Sequence, residues 1–312
     1  MSGGRPPRRL PRHAPPGEPV VPPAPSTIDL HTHTARSDGL LEPEVLLADA
    51  AAAGVRLIAI TDHDTLAGVR EVLAAKAVPP GLELLPGIEL NAITSDRLDL
   101  RESEVHVLGL GVDPDDVGLE RTLANQRRHR RHRFDRMVRR LAEIGRPIDD
   151  ALEGLPLTDD DDALGRPRVA RAMIAKGYVA SVEEAFSTYL SRGRPAYVPR
   201  EGLGPIDAIQ AIRAAGGLPA LAHFSEAPDR PDVLRELKDA GLAGLEVYYH
   251  SFDAATVASM AAVAAAASLV ATGGSDYHGD LESYAAAHAR LWVPPEVEPP
   301  LRAAIAGSTA DR

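Results

Sequence analysis

The chain has 312 residues, of which 44% are hydrophobic, and a formal net charge of −11. This size allows one barrel-sized domain with an insertion as readily as two domains, and the negative charge argues against a general polyanion-binding surface. The sequence contains no cysteine, which excludes disulfides, thiolate metal sites and cysteine nucleophiles. No apolar stretch reaches the roughly 20 residues of a membrane span. We therefore expect a cytoplasmic protein with no membrane partner, and its oligomeric state stays open.

Residues 1–25 are rich in Pro, Arg and Gly without hydrophobic periodicity, which predicts a disordered tail that catalysis does not need. Beyond it, short apolar runs alternate with amphipathic helical patterns, and this order predicts parallel strands joined by right-handed crossovers. Strands are predicted at 27–30, 55–60, 82–90, 105–112, 218–222, 244–249 and 268–272, and helices at 43–53, 66–77, 205–215, 233–240 and 254–267.

Seven strands fit an α/β barrel of the (β/α) type that is one strand short of eight. We assign residues 26–112 and 205–312 to this barrel, and 113–204 to an inserted helical subdomain over the barrel mouth. Nine of the twenty residues in 121–140 are Arg. This stretch fits a solvated helix whose Arg stems pack on neighbouring residues, and a nucleic-acid-binding helix is the alternative, although no aromatic residues alternate with the arginines. The acidic run 159–162 is predicted to be a solvated loop.

A metal-ligand pattern follows the first predicted strand, in the sequence I-D-L-H-T-H-T-A-R-S-D-G. Residues i and i+2 of a strand point to the same side, so His31 and His33 can bind one ion together, while Asp38 comes from the following loop. Ionisable residues recur at the predicted carboxyl ends of later strands, where such barrels build their active sites. The candidate metal ligands are His31, His33, Asp38, His63, Glu89, His106, His223, Asp276 and His278.

Six histidines and three carboxylates are too many for one ion, which predicts two or three divalent ions, with Mn, Zn and Fe favoured by the ligand types. Glu89 is our choice for a bridging ligand. In the second motif, Asp62 is expected to orient a metal ligand and Asp64 to cap the following helix. His250 and the remaining histidines lack the strand-end placement and are excluded from the site.

A cluster of divalent ions lowers the pKa of bound water and neutralises charge on a phosphoryl group, so hydrolysis of a phosphoester is the predicted reaction. Two arginines of the insertion, Arg166 and Arg194, are candidates to bind substrate phosphate oxygens. Either residue fits equally well as a structural donor to loop carbonyls.

The motifs H-T-H at 31–33, S-D-G at 37–39, T-D-H-D at 61–64, P-G-I-E at 86–89, A-H-F at 222–224 and G-S-D-Y-H at 274–278 resemble the polymerase and histidinol phosphatase family of metal-dependent phosphoesterases. The resemblance covers residues 27–293. It is closest to the branch that contains nucleoside 3′,5′-bisphosphate phosphatases and 5′-3′ exoribonucleases acting on short RNA. Two positions depart from the family pattern near the mouth, Arg168 and Phe224.

The resemblance implies a distorted (β/α)7 barrel and a trinuclear site formed by the nine ligands. It implies a metal-bridging hydroxide as nucleophile, with Asp38, His63 and His278 as catalytic residues. The implied substrate is a small phosphorylated molecule, a nucleotide such as adenosine 3′,5′-bisphosphate, with short RNA as an alternative.

Other functions were weighed against this one. An amidohydrolase barrel also opens with H-x-H, but its binuclear members need a carbamylated lysine at a strand end, and none of the three lysines is predicted there. Histidinol phosphate and a phosphorylated biosynthetic intermediate are rival substrates. A non-catalytic metal-stabilised module would be expected to lack some ligands, whereas the set of nine is complete.

Overall fold

The computed structural model describes residues 24–94, 104–153 and 164–310, and within them the chain forms one seven-stranded sheet. The strands lie in the sheet in chain order, and β1, β2 and β5 are buried on both faces, as is typical of α/β barrels. The strands are β1 (Ile28–Thr32), β2 (Leu57–Ile60), β3 (Glu83–Ile93), β4 (Glu104–Leu110), β5 (Leu218–Leu221), β6 (Gly244–Tyr249) and β7 (Val270–Gly274).

Helices surround the sheet, and several begin with proline in the first turn, where its missing N–H costs no hydrogen bond. The described helices are α1 (Pro43–Ala52), α2 (Ala67–Ala75), α3 (Val117–Glu143), α4 (Asp149–Glu153), α5 (Arg166–Ala175), α6 (Val182–Ala185), α7 (Pro205–Ala214), α8 (Pro231–Asp239), α9 (Ala254–Ala267), α10 (Tyr284–His288) and α11 (Glu298–Ala310). None of them is both long enough and apolar enough to cross a membrane.

The sheet is nearly closed, because β7 returns to β1. The backbone N–H of Asp276 donates to the His31 carbonyl at 2.7 Å, and that of His33 donates to the Tyr277 carbonyl at 3.0 Å. A Cβ on Gly274 would lie 2.4 Å from the Cβ of His31, so only glycine allows this close approach. The predicted distorted seven-stranded barrel is confirmed.

The expectation of parallel pairing is wrong for one strand, because β4 runs antiparallel to both β3 and β5. Only residues 94–103 separate β3 from β4. A parallel crossover needs about a dozen residues or more, so this connection can form only a hairpin. The remaining neighbours, β1 with β2, β2 with β3, β5 with β6 and β6 with β7, are parallel as predicted.

The segment between β4 and β5 is helical and has an apolar cluster of its own. Phe134, Met137 and Leu141 of α3 pack there with Val169 and Met173 of α5. The boundaries 113 and 204 of this subdomain stay a prediction. The predicted tail, apart from residues 24 and 25, and the acidic run 159–162 lie outside the described residues.

Candidate metal centre

The structure brings all nine predicted ligands to one end of the barrel, although two do not lie at the carboxyl end of a strand. Glu89 is in the middle of β3, because β3 continues to Ile93 as a hairpin with β4. His106 is near the amino end of β4, and the reversed direction of that strand places this end beside the carboxyl ends of its neighbours. The sequence therefore predicted both residues as members of the cluster, but the assumption that they lie at the carboxyl end of a strand is wrong.

The carboxylate of Glu89 lies at the centre of the cluster. Its Oε2 is 2.7 Å from His63 Nδ1, and its Oε1 is 2.8 Å from His106 Nδ1. Its side chain is almost completely buried, at 1% exposure. Five histidines bring a ring nitrogen within 3.5 Å of the Glu89 oxygens: His31, His33, His63, His106 and His223.

Several buried atoms of this cluster lack hydrogen-bond partners. Both carboxylate oxygens of Glu89, both ring nitrogens of His33, Nε2 of His31 and Nδ1 of His63 are buried without an aligned partner. Leaving such atoms unsatisfied costs about 1 to 3 kcal/mol each, so converging lone pairs of this kind fit divalent cations. Four sets have ligand atoms within 4.8 Å of one another: His33, Asp38, His63 and His278; His31, His33 and Glu89; His31, His223 and Asp276; and His63, Glu89 and His106.

The charges in the cluster are mutually stabilised. Burial opposes ionisation of Asp38, Glu89 and Asp276, but the surrounding histidines hold the pKa of each carboxyl well below its usual range. Burial lowers the pKa of His63 to about 4, whereas Asp38 overcomes burial and raises the pKa of His278 to about 10. The three carboxylates are therefore negatively charged at neutral pH, which is the state that binds cations.

Two ligands have a backbone conformation that non-glycine residues rarely adopt. The φ angle is 33° at His223 and 48° at Asp276. Such strain persists only where surrounding contacts enforce it, and it is concentrated at functional sites. Glu246 Oε2 accepts a hydrogen bond from the His223 backbone N–H at 2.7 Å, and the His31 carbonyl accepts one from Asp276 at 2.7 Å.

Sequence reasoning missed two residues of β6 that contact the ligands. Glu246 Oε1 lies 2.9 Å from His31 Nδ1, and the Tyr249 hydroxyl donates to Asp276 Oδ2 at 3.1 Å. The sequence offered one indication of the role of Glu246, which is its position inside the apolar run Gly244–Tyr249. A glutamate that is fully buried in such a strand needs a partner.

Asp62 has contacts that agree with its expected role, whereas Asp64 does not. Asp62 accepts hydrogen bonds from the hydroxyls of Thr34 and Ser37, each at 2.7 Å, so it fixes the loop that leads to the predicted ligand Asp38. The helix-cap prediction for Asp64 is wrong: its Oδ2 accepts from Arg130 Nε at 2.5 Å, and α2 begins without a side-chain cap.

The helix α3 buries three arginines, two of them against the barrel and Arg133 against Val198 of the insertion, so the expectation of a solvated arginine helix is wrong for this face. Arg127, Arg130 and Arg133 are each 7% exposed, and their spacing of three residues places them on one side of the helix. Arg130 also donates to the side-chain oxygen of Asn91, beside His106. Arg128 and Arg131 remain on the exposed side.

A cleft of about 290 Å³ opens beside the cluster, and we call it the arginine cleft. Its lining includes Glu104, His106, Arg166, His223 and Phe224. Glu104 Oε1 lies 3.3 Å from Arg166 Nη2, and Glu104 Oε2 lies 2.7 Å from Arg200 Nε. The guanidinium group of Arg133 is also near this carboxylate. Among the described residues, Nη1 of Arg200 is buried without a hydrogen-bond partner.

The carboxylate of Glu104, which lines the arginine cleft together with Glu226 and Arg166, lies among several guanidinium groups. Burial alone would raise the pKa of Glu104, but Arg200 and the other neighbouring cations hold it at about 2. Burial, with repulsion from Arg200 and Arg166, lowers the pKa of Arg133 to about 9. Glu104 therefore has three guanidinium neighbours, of which Arg166 lines the cleft and can bind an anion there.

The structure separates the two arginines that the sequence suggested. Arg166 lines the arginine cleft, with its guanidinium carbon 5.0 Å from the centre of the Phe186 ring. Arg194 has an exposed side chain and does not line the cleft. His250, which sequence reasoning excluded, belongs to none of the four ligand sets.

A seven-stranded barrel with a histidine and carboxylate cluster at its mouth is typical of metal-dependent hydrolases. The chain belongs to the PHP domain family, whose pattern matches residues 29–185, and it is a phosphoesterase of that family. This confirms the resemblance found in the sequence motifs.

The most informative relatives are hydrolases of phosphate esters. The chain is 32% identical over 262 residues to the 3′,5′-nucleoside bisphosphate phosphatase of Chromobacterium violaceum, covering 81% of this chain and 87% of that protein. It is 34% identical over 198 residues to the 5′-3′ exoribonuclease Rnm of Escherichia coli, covering 62% of this chain and 64% of that protein. A solved structure from Bifidobacterium adolescentis, assigned as a metal-dependent phosphoesterase, has a TM-score of 0.72 and 32% identity, covering 84% and 90% of the two chains.

The positions of the lysines argue further against an amidohydrolase of the carbamylated-lysine type. Lys76 and Lys176 follow the last residues of α2 and α5, and Lys238 lies in α8. None of the three is at a strand end, so none occupies the place of a bridging carbamate.

Proposed function

We propose that this protein is a divalent-metal-dependent phosphatase that removes one phosphate from a nucleoside 3′,5′-bisphosphate. The observation that carries the proposal is the junction of two sites: His106 and His223 belong to the ligand cluster and also line the arginine cleft. A substrate with two phosphates can place the reacting one at the cluster and the other near Arg166. The similarity to the bisphosphate phosphatase supports the same assignment.

The nine ligands are proposed to hold two or three ions. The four ligand sets overlap, because His31, His33, His63 and Glu89 each belong to two of them, so the sets do not represent four independent ions. Glu89 is proposed as the bridge, since its two oxygens face different histidines. Mn, Zn and Fe all suit imidazole and carboxylate ligands, and such ions, when bound, supply an activated water molecule and neutralise phosphoryl charge.

Three of the predicted ligands that contact one another are proposed to act on the substrate. The side chains of Asp38, His63 and His278 are 9%, 11% and 23% exposed, whereas those of His31 and His33 are fully buried. Asp38 Oδ1 lies 3.3 Å from His278 Nε2, and Asp38 Oδ2 lies 3.7 Å from His63 Nε2. We therefore propose these three as the catalytic residues that face an incoming phosphate.

The helical insertion is proposed to bind the phosphate that remains on the product. Arg166 lines the cleft, and a guanidinium group can donate two parallel hydrogen bonds to phosphate oxygens. A second phosphate would bind to the guanidinium of Arg166. Histidinol phosphate and other monophosphates would not do this, which ranks them below a bisphosphate.

Exonucleolytic cleavage of short 5′-phosphorylated RNA is the second candidate. The end of such an RNA also presents two phosphates one nucleotide apart, and the similarity to the exoribonuclease favours this substrate. The two candidates use the same cluster and the same cleft. In both reactions water attacks phosphorus and an alcohol oxygen of the nucleotide leaves. They differ in whether the attacked phosphorus ends in inorganic phosphate or in a nucleotide product.

The test is release of product from a panel of substrates in the presence of Mn²⁺: adenosine 3′,5′-bisphosphate, a 5′-phosphorylated RNA trimer, histidinol phosphate and p-nitrophenyl phosphate. We expect the highest kcat/KM for the bisphosphate and loss of activity with a chelator. Preference for the trimer would replace the phosphatase by the exoribonuclease. A higher kcat/KM for histidinol phosphate than for either nucleotide would contradict the proposed role of the arginine cleft.

A further inference from the structure

The strand β6 supplies none of the nine proposed ligands, yet it contacts three of them. Glu246 binds the ring of His31 and the backbone of His223, and Tyr249 binds the carboxylate of Asp276. His31, His223 and Asp276 together form one of the four ligand sets. Every member of this set is therefore held by a residue of the same strand.

The geometry of β6 accounts for this arrangement. Residues three apart on a regular strand point to opposite faces, so Glu246 and Tyr249 would not both face the cluster. The pairing of β6 with β7 shifts register between Glu246 and Tyr248. Such an irregularity turns the following residues over, and it is a known way to redirect a side chain near an active site.

Each contact leaves the opposite atom available for a cation. Tyr249 donates to Oδ2 of Asp276, while Oδ1 faces the Nε2 atoms of His31 and His33 at 3.3 and 3.1 Å. Glu246 occupies Nδ1 of His31, and Nε2 of that ring is one of the buried atoms without a partner. The contacts thus determine which ligand atoms point into the site.

Glu246 also maintains the strained backbone of His223. The φ angle of 33° at His223 is unfavourable for a side chain with a Cβ, and Glu246 Oε2 accepts the His223 N–H at 2.7 Å. One fully buried carboxylate therefore couples a ligand from β1 to a ligand that follows β5.

We infer that β6 acts as the positioning element of a single metal subsite, the one formed by His31, His223 and Asp276, with Glu246 and Tyr249 as its positioning residues. The inference rests on the proposed metal centre. It predicts that changing β6 weakens one ion selectively, because in the described part of the chain neither of these two residues hydrogen-bonds to His33, Asp38, His63 or His278.

The test is a calorimetric titration of the chelator-treated protein with Mn²⁺, which measures binding without substrate. Tyr249→Phe removes only the hydroxyl, and we expect the affinity of one bound ion to fall by about 10- to 100-fold, the usual cost of losing an outer partner of a ligand. The other ion or ions should bind as in the unmodified protein. Glu246→Gln should weaken the same ion.

Tyr248→Phe is the matched control, because Tyr248 is the neighbouring half-buried tyrosine of the same strand. It should leave the titration unchanged. An unchanged titration for Tyr249→Phe, or equal weakening of every ion, would overturn the inference. Failure of the unmodified protein to bind Mn²⁺ at all would instead overturn the proposed metal centre, so the two failures are distinguishable.

Discussion

The ligand cluster and the arginine cleft share His106 and His223, but different positively charged side chains surround the carboxylates in the two regions. In the cluster, three carboxylates lie among six histidines, and the charges stabilise one another. Beside the cleft, the carboxylate of Glu104 lies among the guanidinium groups of Arg166, Arg200 and Arg133. The barrel strands and the loops that follow them build the cluster, whereas the helix α5 supplies Arg166 to the cleft. The difference suggests a division in which the barrel provides the reaction and the insertion selects the substrate.

The largest expected effect comes from breaking the cluster while leaving the cleft intact. Asp276→Asn removes a negatively charged proposed ligand, and kcat/KM should fall by about a thousandfold, or about 4 kcal/mol, more than the loss of an outer partner. Phosphate release measures this effect. Asp280→Asn, an exposed carboxylate of the same loop, is the control and should keep normal activity. Near-normal turnover of Asp276→Asn would refute the site assignment.

The charge balance of the cleft is tested by Glu104→Gln. The pKa of Glu104 is about 2 in the folded protein, below its ordinary value, so its ionised form stabilises the fold above about pH 4.5 and this contribution is lost as the pH falls through about 2. At pH 7 the variant should lose on the order of 3 kcal/mol of unfolding free energy, measured with urea.

The difference between the unmodified protein and Glu104→Gln should shrink as the pH falls below about 4.5. A difference that stays constant down to pH 3 would mean that the loss arises from packing and not from charge. The comparison of the two regions would then lose its electrostatic basis.

Breaking the cleft while leaving the cluster intact should change substrate binding alone. Arg166→Gln should raise KM for adenosine 3′,5′-bisphosphate by about 10- to 100-fold, because a charge-assisted hydrogen bond contributes about 1.5 to 3 kcal/mol. Hydrolysis of p-nitrophenyl phosphate, which has no second phosphate, should be unaffected. Arg194→Gln is the matched control from the same insertion, with an exposed side chain outside the cleft. Equal effects of both variants would argue against a phosphate site at Arg166.

The smallest effect is expected on the exposed face of α3. Arg128→Gln combined with Arg139→Gln should change kcat/KM for the bisphosphate by less than about twofold, since exposed charges are strongly screened. Measuring kcat/KM of the same double variant with the RNA trimer tests whether this helix face contributes to binding of the longer substrate. A large loss confined to RNA would extend substrate selection from the cleft to this helix face.

Local sequence patterns determined much of this protein. The seven strands and the nine clustered side chains follow from short apolar runs and from motifs such as His31-Thr32-His33, in which residues two apart point to the same side. These features depend on neighbours in the chain, so they can be read without knowing which strands pair.

Only the tertiary structure decided the features that depend on distant segments. The reversal of β4, the inward face of Arg130 and the contacts of Glu246 and Tyr249 all arise from residues far apart in the sequence. An arginine on an amphipathic helix has the same local pattern whether it meets solvent or a buried carboxylate. The free energy that places it inside comes from partners such as Asp64, which only the folded chain brings within hydrogen-bond distance.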